Sequence, residues 1–169
     1  MDYQAAAWLT FGAALAGVAG ALTGLLFVAV SIKSDMLARS RNLTSRAAQT
    51  LVLFMIAVLM GLLVVTPQPR IALGLELVAL ALLSGALLQV LDRRAGSAGE
   101  NASRAERYIE RFSPNLITAV LVGVTGLTVA IRAGGGLYWL LPAAVTSLLG
   151  GVSNAWLFLV RVTDEPGPR

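Results

Sequence analysis

The stretch Ala5–Ile32 reads AAAWLTFGAALAGVAGALTGLLFVAVSI and decides the fold class. None of its 28 residues is charged, and a helix needs roughly 20 mainly apolar residues to cross a bilayer. Met1-Asp2-Tyr3-Gln4 precedes it instead of the basic region of a signal peptide, and the apolar run is longer than a signal peptide requires. We therefore predict a retained transmembrane helix that crosses the membrane with some tilt.

The composition of the chain extends this prediction to its whole length. Of the 169 residues, 57% are hydrophobic and 13% are charged, against about 25% charged in an ordinary soluble domain. Four further apolar blocks follow at residues 47–65, 71–91, 115–131 and 137–160. We predict an all-α membrane bundle of five transmembrane helices, forming a single domain over residues 1–162, with a flexible tail at 163–169.

The polar stretch between the third and fourth blocks has its own periodicity. Ala105, Tyr108, Ile109 and Phe112 recur at intervals of three and four residues among charged neighbours. This spacing puts the apolar side chains on one side of a helix. We predict a short amphipathic helix at 101–112 that lies on the membrane surface.

The basic residues predict the orientation of the bundle. Eleven of the 13 Lys and Arg residues fall on one side of five alternating spans, and only Arg70 and Arg132 fall on the other. The positive-inside rule therefore puts the N-terminus outside and the C-terminus and both long loops in the cytoplasm. The net charge of +4 indicates contact with anionic lipid headgroups and gives no reason to expect nucleic acid binding.

The chain lacks the residue types on which many catalytic sites depend. The chain has no Cys and no His, which excludes disulfides, thiolate or imidazole metal sites and Ser-His or Cys-His catalysis. The single lysine, Lys33, lies at a predicted cytoplasmic helix end, and no intramembrane pair of Asp residues is present. We therefore expect a protein that is not an enzyme and that has no cofactor and no metal site.

Small residues recur every four positions in two of the predicted spans. Such rows let helices approach closely in lipid, either within one protomer or between copies in a homo-oligomer, and the sequence leaves both interpretations open. The candidate packing residues are Gly12, Ala16, Gly20 and Gly24 in the first span and Ser147 and Gly151 in the fifth.

Polar side chains inside the spans are the other candidates for function. Glu76 lies about 7.5 Å from the outer end of the third span, at a depth compatible with Arg132 or Arg70. It either forms a structural pair or handles a proton or cation. The amides Gln49, Gln89, Asn115 and Asn154 map to the inner halves of their spans, where they either line a polar cavity or bond between helices.

Several stretches, taken together, resemble a family of small multi-pass bacterial membrane proteins of unknown function, some of which are labelled modulator of FtsH protease. The resemblance implies a location in the bacterial inner membrane and a partner role toward a membrane-anchored protease, and it implies no catalytic residue. The stretches that carry it are 21–32, Arg46-Ala47, 72–77, 135–139 and Asn154-Ala155-Trp156, with Gly24, Ser31, Glu76, Gly136, Tyr138, Trp139, Asn154 and Trp156 as its recurring positions.

Two functions follow as expectations. The first is a non-enzymatic membrane protein that acts by assembling with itself or with a membrane protein partner, through the small-residue row of the first span. The alternative is a small homo-oligomeric ion channel or carrier, in which the polar residues Glu76, Asn154 and Arg132 lie along the pathway.

Overall fold

The structure is a computed structural model that describes residues 5–32, 41–95 and 114–163. It contains five α-helices: α1 (Ala5–Ile32), α2 (Arg41–Val65), α3 (Arg70–Ala95), α4 (Pro114–Ile131) and α5 (Leu140–Thr163). A short 3₁₀ helix, Gly136–Trp139, precedes α5. The predicted surface helix at 101–112 and the tail beyond residue 163 lie outside the described residues.

The predicted all-α membrane bundle is confirmed. Four of the helices are long and apolar enough to cross a membrane, whereas α4 has 18 residues and is shorter. At 1.5 Å per residue α4 is about 27 Å long, slightly less than the roughly 30 Å of a hydrocarbon core. α4 is therefore just short of the length that the other four helices reach.

The predicted ends differ from the observed ones where helices continue into polar sequence. α2 begins at Arg41, six residues before the predicted block, and α3 continues to Ala95, four residues beyond it. Hydropathy marks where a helix enters lipid, but the backbone hydrogen bonds of the helix continue through Arg, Ser and Asp residues outside it. The fifth block is divided between the 3₁₀ helix and α5, with Pro142 in the first turn of α5, where its missing N–H costs little.

α2 lies at the centre of the bundle and contacts α1, α3 and α5, while α4 packs closely on α3 and also against α5. The core between these helices is mainly apolar and also contains the buried hydroxyl side chains Thr50, Thr118, Thr125 and Ser147. Its largest fully buried apolar side chains are Leu53, Ile56 and Met60 from α2, Leu73, Leu77 and Leu88 from α3, Val122 from α4 and Leu140 from α5.

Glycines set the two closest helix crossings. A Cβ atom added to Gly61 of α2 would lie 2.5 Å from the carbonyl oxygen of Gly12 in α1. A Cβ added to Gly126 of α4 would lie 2.6 Å from the carbonyl oxygen of Gly74 in α3. Since no real Cβ atom fits at such distances, these backbones touch only because the side chains are absent.

Two turns close the end of the bundle that the charge pattern puts outside. Between α2 and α3, the side-chain amide of Gln68 donates to the Leu63 carbonyl oxygen at 3.1 Å. Between α4 and α5, the chain reverses through left-handed residues, including Arg132 at φ 59° and Gly135 at φ 104°. The indole N–H of Trp139 donates to the Gly134 carbonyl oxygen at 2.7 Å and holds this second turn in shape.

Candidate functional site

The small-residue row of α1 is divided between two faces of the helix. Gly12 and Ala16 lie against Gly61 of α2, whereas Gly20 and Gly24 are exposed and have nothing within 4 Å of an added Cβ. The physical reason is the helical repeat: each step of four residues turns about 40° further round the axis. Three such steps carry the row from the face toward α2 to a face turned away from it.

The second half of this row belongs to a larger exposed surface, which we call the open face of α1. Gly17 also has nothing within 4 Å of an added Cβ. All members of the face are small and exposed, and together they are Ala13, Gly17, Gly20, Ala21 and Gly24. The open face is a smooth strip of helix backbone that no described residue covers.

The small residues of α5 lie inside the bundle. Ser147 is fully buried, and its hydroxyl donates to the Leu53 carbonyl oxygen of α2 at 2.5 Å. An added Cβ on Gly151 would collide with the ring of Phe54 in α2. Ser147 and Gly151 therefore hold α5 to α2 within one protomer.

Glu76 lies on the outer surface of α3. Gly74 faces α4, where an added Cβ would meet Gly126 and Ala130. A side chain two residues further along a helix leaves the axis in a direction turned by about 200°. Glu76 is accordingly exposed. Within the described residues it has neither an ion pair nor a hydrogen bond.

The two arginines at the same end of the bundle differ in what they bind. One Nη of Arg70 donates to the carbonyl oxygens of Val129 and Ala130, both at 2.6 Å. These carbonyls lie at the C-terminal end of α4, where a cation is favourable because of the helix dipole. Arg132 is exposed and makes no hydrogen bond or ion pair with the part of the chain that the structure describes.

The amides at the opposite, predicted inner end form a contact between three helices. Gln49 of α2 donates to a carboxylate oxygen of Asp92 in α3 at 2.6 Å, and the Asn115 amide of α4 approaches the same oxygen at 3.5 Å. Gln49 and Asn115 are both buried, and the Asn115 side-chain oxygen accepts no hydrogen bond from the described residues. This Asp92 cluster joins α2, α3 and α4 through side-chain hydrogen bonds.

The structure does not bring Asn154 to this cluster or to Glu76. Asn154 is half-buried on α5 and makes no hydrogen bond with the described residues. Glu76 is exposed on α3 near the other end of the bundle, so the two polar side chains do not share a site.

Aromatic residues connect α1 to the turn before α5. The ring of Trp8 meets the ring of Tyr138 edge-on at 5.2 Å and that of Phe11 at 5.5 Å. Below them, an apolar cleft of about 220 Å³ opens between α1 and α5. Its lining is Phe11, Ala14, Leu15, Val18, Leu141, Ala144, Val145 and Leu148.

Sequence reasoning missed the residues that make the closest contacts. Gly61, Gly74 and Gly126 belong to no obvious row, yet they set the two helix crossings. The available signal was that each is a glycine inside a long apolar helix, where glycine costs about 1 kcal/mol relative to alanine. Sequence reasoning also missed Asp92, because the apolar block ends at residue 91 whereas α3 continues to Ala95.

The described residues contain no group of three or more His, Cys, Asp or Glu side chains that could hold a metal ion. Comparisons with known proteins found no family profile, no curated protein and no solved structure that matches this chain.

Proposed function

We propose that this protein is a non-enzymatic membrane protein that acts by assembly, and that the open face of α1 is its contact surface with a second copy. The observation that carries the proposal is the exposure of this face. Only 17% of the apolar span of α1 is buried in the bundle, compared with 50% for the span of α2.

The chemistry of the open face favours another helix over lipid. In a bilayer, apolar side chains gain little from leaving lipid, so helices associate where small residues let backbones come close. Gly17, Gly20 and Gly24 offer such a surface. The hydroxyls of Thr23 and Ser31 donate to carbonyl oxygens of α1 itself, at 2.8 Å each, so close packing of the backbones remains the main attraction.

The test is the native mass of the purified protein in nanodiscs, together with its melting temperature. We expect the wild type to contain more than one copy and the double variant Gly20→Leu/Gly24→Leu to contain fewer copies while it still unfolds in a cooperative thermal transition. Val120→Leu enlarges an exposed side chain on α4 and serves as the control that keeps the wild-type mass. If the double variant keeps the wild-type mass, the open face is not the interface. If the wild type is monomeric, the protein does not assemble with itself, and its partner is a different membrane protein.

The channel or carrier alternative has one supporting observation, the outward position of Glu76 on α3. Inside the described bundle, the buried hydroxyls of Thr50, Thr125 and Ser147 bond to carbonyl oxygens. The pathway of this alternative therefore runs between protomers. Ion flux into liposomes tests it: a flux above background that falls with Glu76→Gln supports the alternative. Equal background flux for both proteins would remove it.

A further inference from the structure

An unpartnered carboxyl side chain lies on the lipid-facing surface of this bundle. Glu76 is six residues into α3 from Arg70, which is about 9 Å along the axis. Its exposed neighbours are hydrocarbon side chains, with Leu75 61% and Leu83 73% exposed. Ionisable groups in such surroundings are costly, and they usually pair or mark a functional contact.

Among the residues that the structure describes, no cation of the same protomer is placed to pair with Glu76. Arg70 is held by two carbonyl oxygens of α4. Arg132 follows the C-terminal end of α4. Gly74 marks the side of α3 that faces α4, and Glu76 lies two residues further on, about 200° round the helix axis. Glu76 therefore points to the side of α3 opposite α4. A pair between Glu76 and Arg132 would have to reach round α3.

The cation that suits Glu76 is the Arg132 of another copy. Of the 13 Lys and Arg residues, only Arg70 and Arg132 belong to this end of the predicted topology, and Arg70 is engaged. Arg132 is exposed, and a long arginine side chain can lie along apolar surface while its charge finds a partner. Charge complementarity of this kind fixes which surfaces meet and in which register.

We infer that the exposed face of α3 around Glu76 is a second contact surface between copies, on which Glu76 pairs with Arg132 of the neighbouring protomer. This inference rests on the proposed self-assembly. The open face of α1 and the Glu76 face of α3 lie on different helices that each pack on α2, so one protomer can use both. A contact between Glu76 on α3 of one copy and Arg132 beyond α4 of the next joins two different surfaces, and such a head-to-tail contact allows a closed ring.

The deciding experiment mixes two charge-reversed proteins with different tags. In Glu76→Arg alone, two arginines meet at every such contact, and in Arg132→Glu alone, two carboxylates meet. We expect each protein alone to lose the wild-type native mass. When the two are mixed, every contact between unlike copies joins opposite charges, so we expect assembly to return and each tag to copurify the other.

Disulfide crosslinking gives a second measurement, which does not require the charge-reversed variants to fold. The sequence has no cysteine, so copies carrying Glu76→Cys and copies carrying Arg132→Cys can be mixed and oxidised. We expect a disulfide-linked dimer well above the level given by Val120→Cys with Arg132→Cys, because Val120 is exposed on α4 away from this contact.

The outcomes separate this inference from the proposal on which it rests. If the wild type assembles and Gly20→Leu/Gly24→Leu dissociates it, while both charge-reversed proteins keep the wild-type mass, the Glu76–Arg132 contact is refuted and the open face stands. Failure of the mixture to restore assembly, with no crosslink above the control, also refutes the contact. A monomeric wild type overturns both.

Discussion

Gly74 and Gly126 are in backbone contact: a Cβ on Gly74 would lie 2.8 Å from the Gly126 carbonyl oxygen. This crossing joins α3 to α4, the shortest helix of the five.

Gly74→Ala should therefore destabilise the protein. The added methyl group forces the two backbones apart, and overpacking of this kind costs about 1–3 kcal/mol. The measurement is thermal unfolding in detergent. Gly20→Ala is the matched control, because nothing lies within 4 Å of its added Cβ, and it should leave the melting temperature unchanged or slightly higher. Equal stability of the two variants would contradict the close crossing.

Arg70 should stabilise the C-terminal end of α4. Arg70→Ala removes two hydrogen bonds from a charged donor to the Val129 and Ala130 carbonyl oxygens. Hydrogen bonds to charged groups contribute about 1.5–3 kcal/mol, so we expect a loss of that order in the free energy of unfolding. Arg70→Lys keeps the charge but not the guanidinium geometry and should recover part of the loss. Wild-type stability for Arg70→Ala would show that these contacts contribute nothing.

Ser147 should contribute through its hydroxyl, because it is buried and bonds across helices to Leu53. Ser147→Ala removes this bond, and such bonds in membrane proteins are worth about 0.6 kcal/mol on average. Thr146→Ala is the control, since that hydroxyl bonds to carbonyl oxygens of its own helix. Denaturant titration of folded protein in mixed micelles should show the larger loss for Ser147→Ala, and a larger loss for Thr146→Ala would contradict the assignment.

The Asp92 cluster should be energetically coupled across helices. Asp92→Ala leaves the buried amide of Gln49 without the acceptor that it has at 2.6 Å, and an unsatisfied buried donor costs about 1–3 kcal/mol. A double-mutant cycle with Gln49→Ala and Asp92→Ala measures the coupling. We expect the double variant to lose less stability than the two single variants added together. Additive losses would mean that the contact does not form.

The residues of α1 show which features of the candidate site could be predicted from the sequence. The spacing puts Gly12 and Gly24 about 120° apart round the helix axis, but it could not show which of the two faces α2. In a soluble helix the buried face is the apolar one, so the sequence reveals it. In lipid both faces are apolar, and the contact is set by the shape of the neighbouring helix.

Glu76 and Asp92 show the same limit for polar residues. Their presence near helix ends was evident in the sequence, but their partners depend on rotation about the helix axis and on where each helix ends. Glu76 is turned outward because Gly74 fixes the opposite side of α3 against α4. Asp92 reaches Gln49 because α3 continues past its apolar block.

The sequence by itself determined the all-α membrane class, the existence of five helices and most of their apolar boundaries. These follow from local physics, since a backbone in lipid must satisfy its own hydrogen bonds within a helix of sufficient apolar length. The tertiary structure alone decided which glycines meet, which face of α1 stays open and where Glu76 points. Those features depend on the fit between helices distant in sequence, which no local pattern of apolar residues specifies.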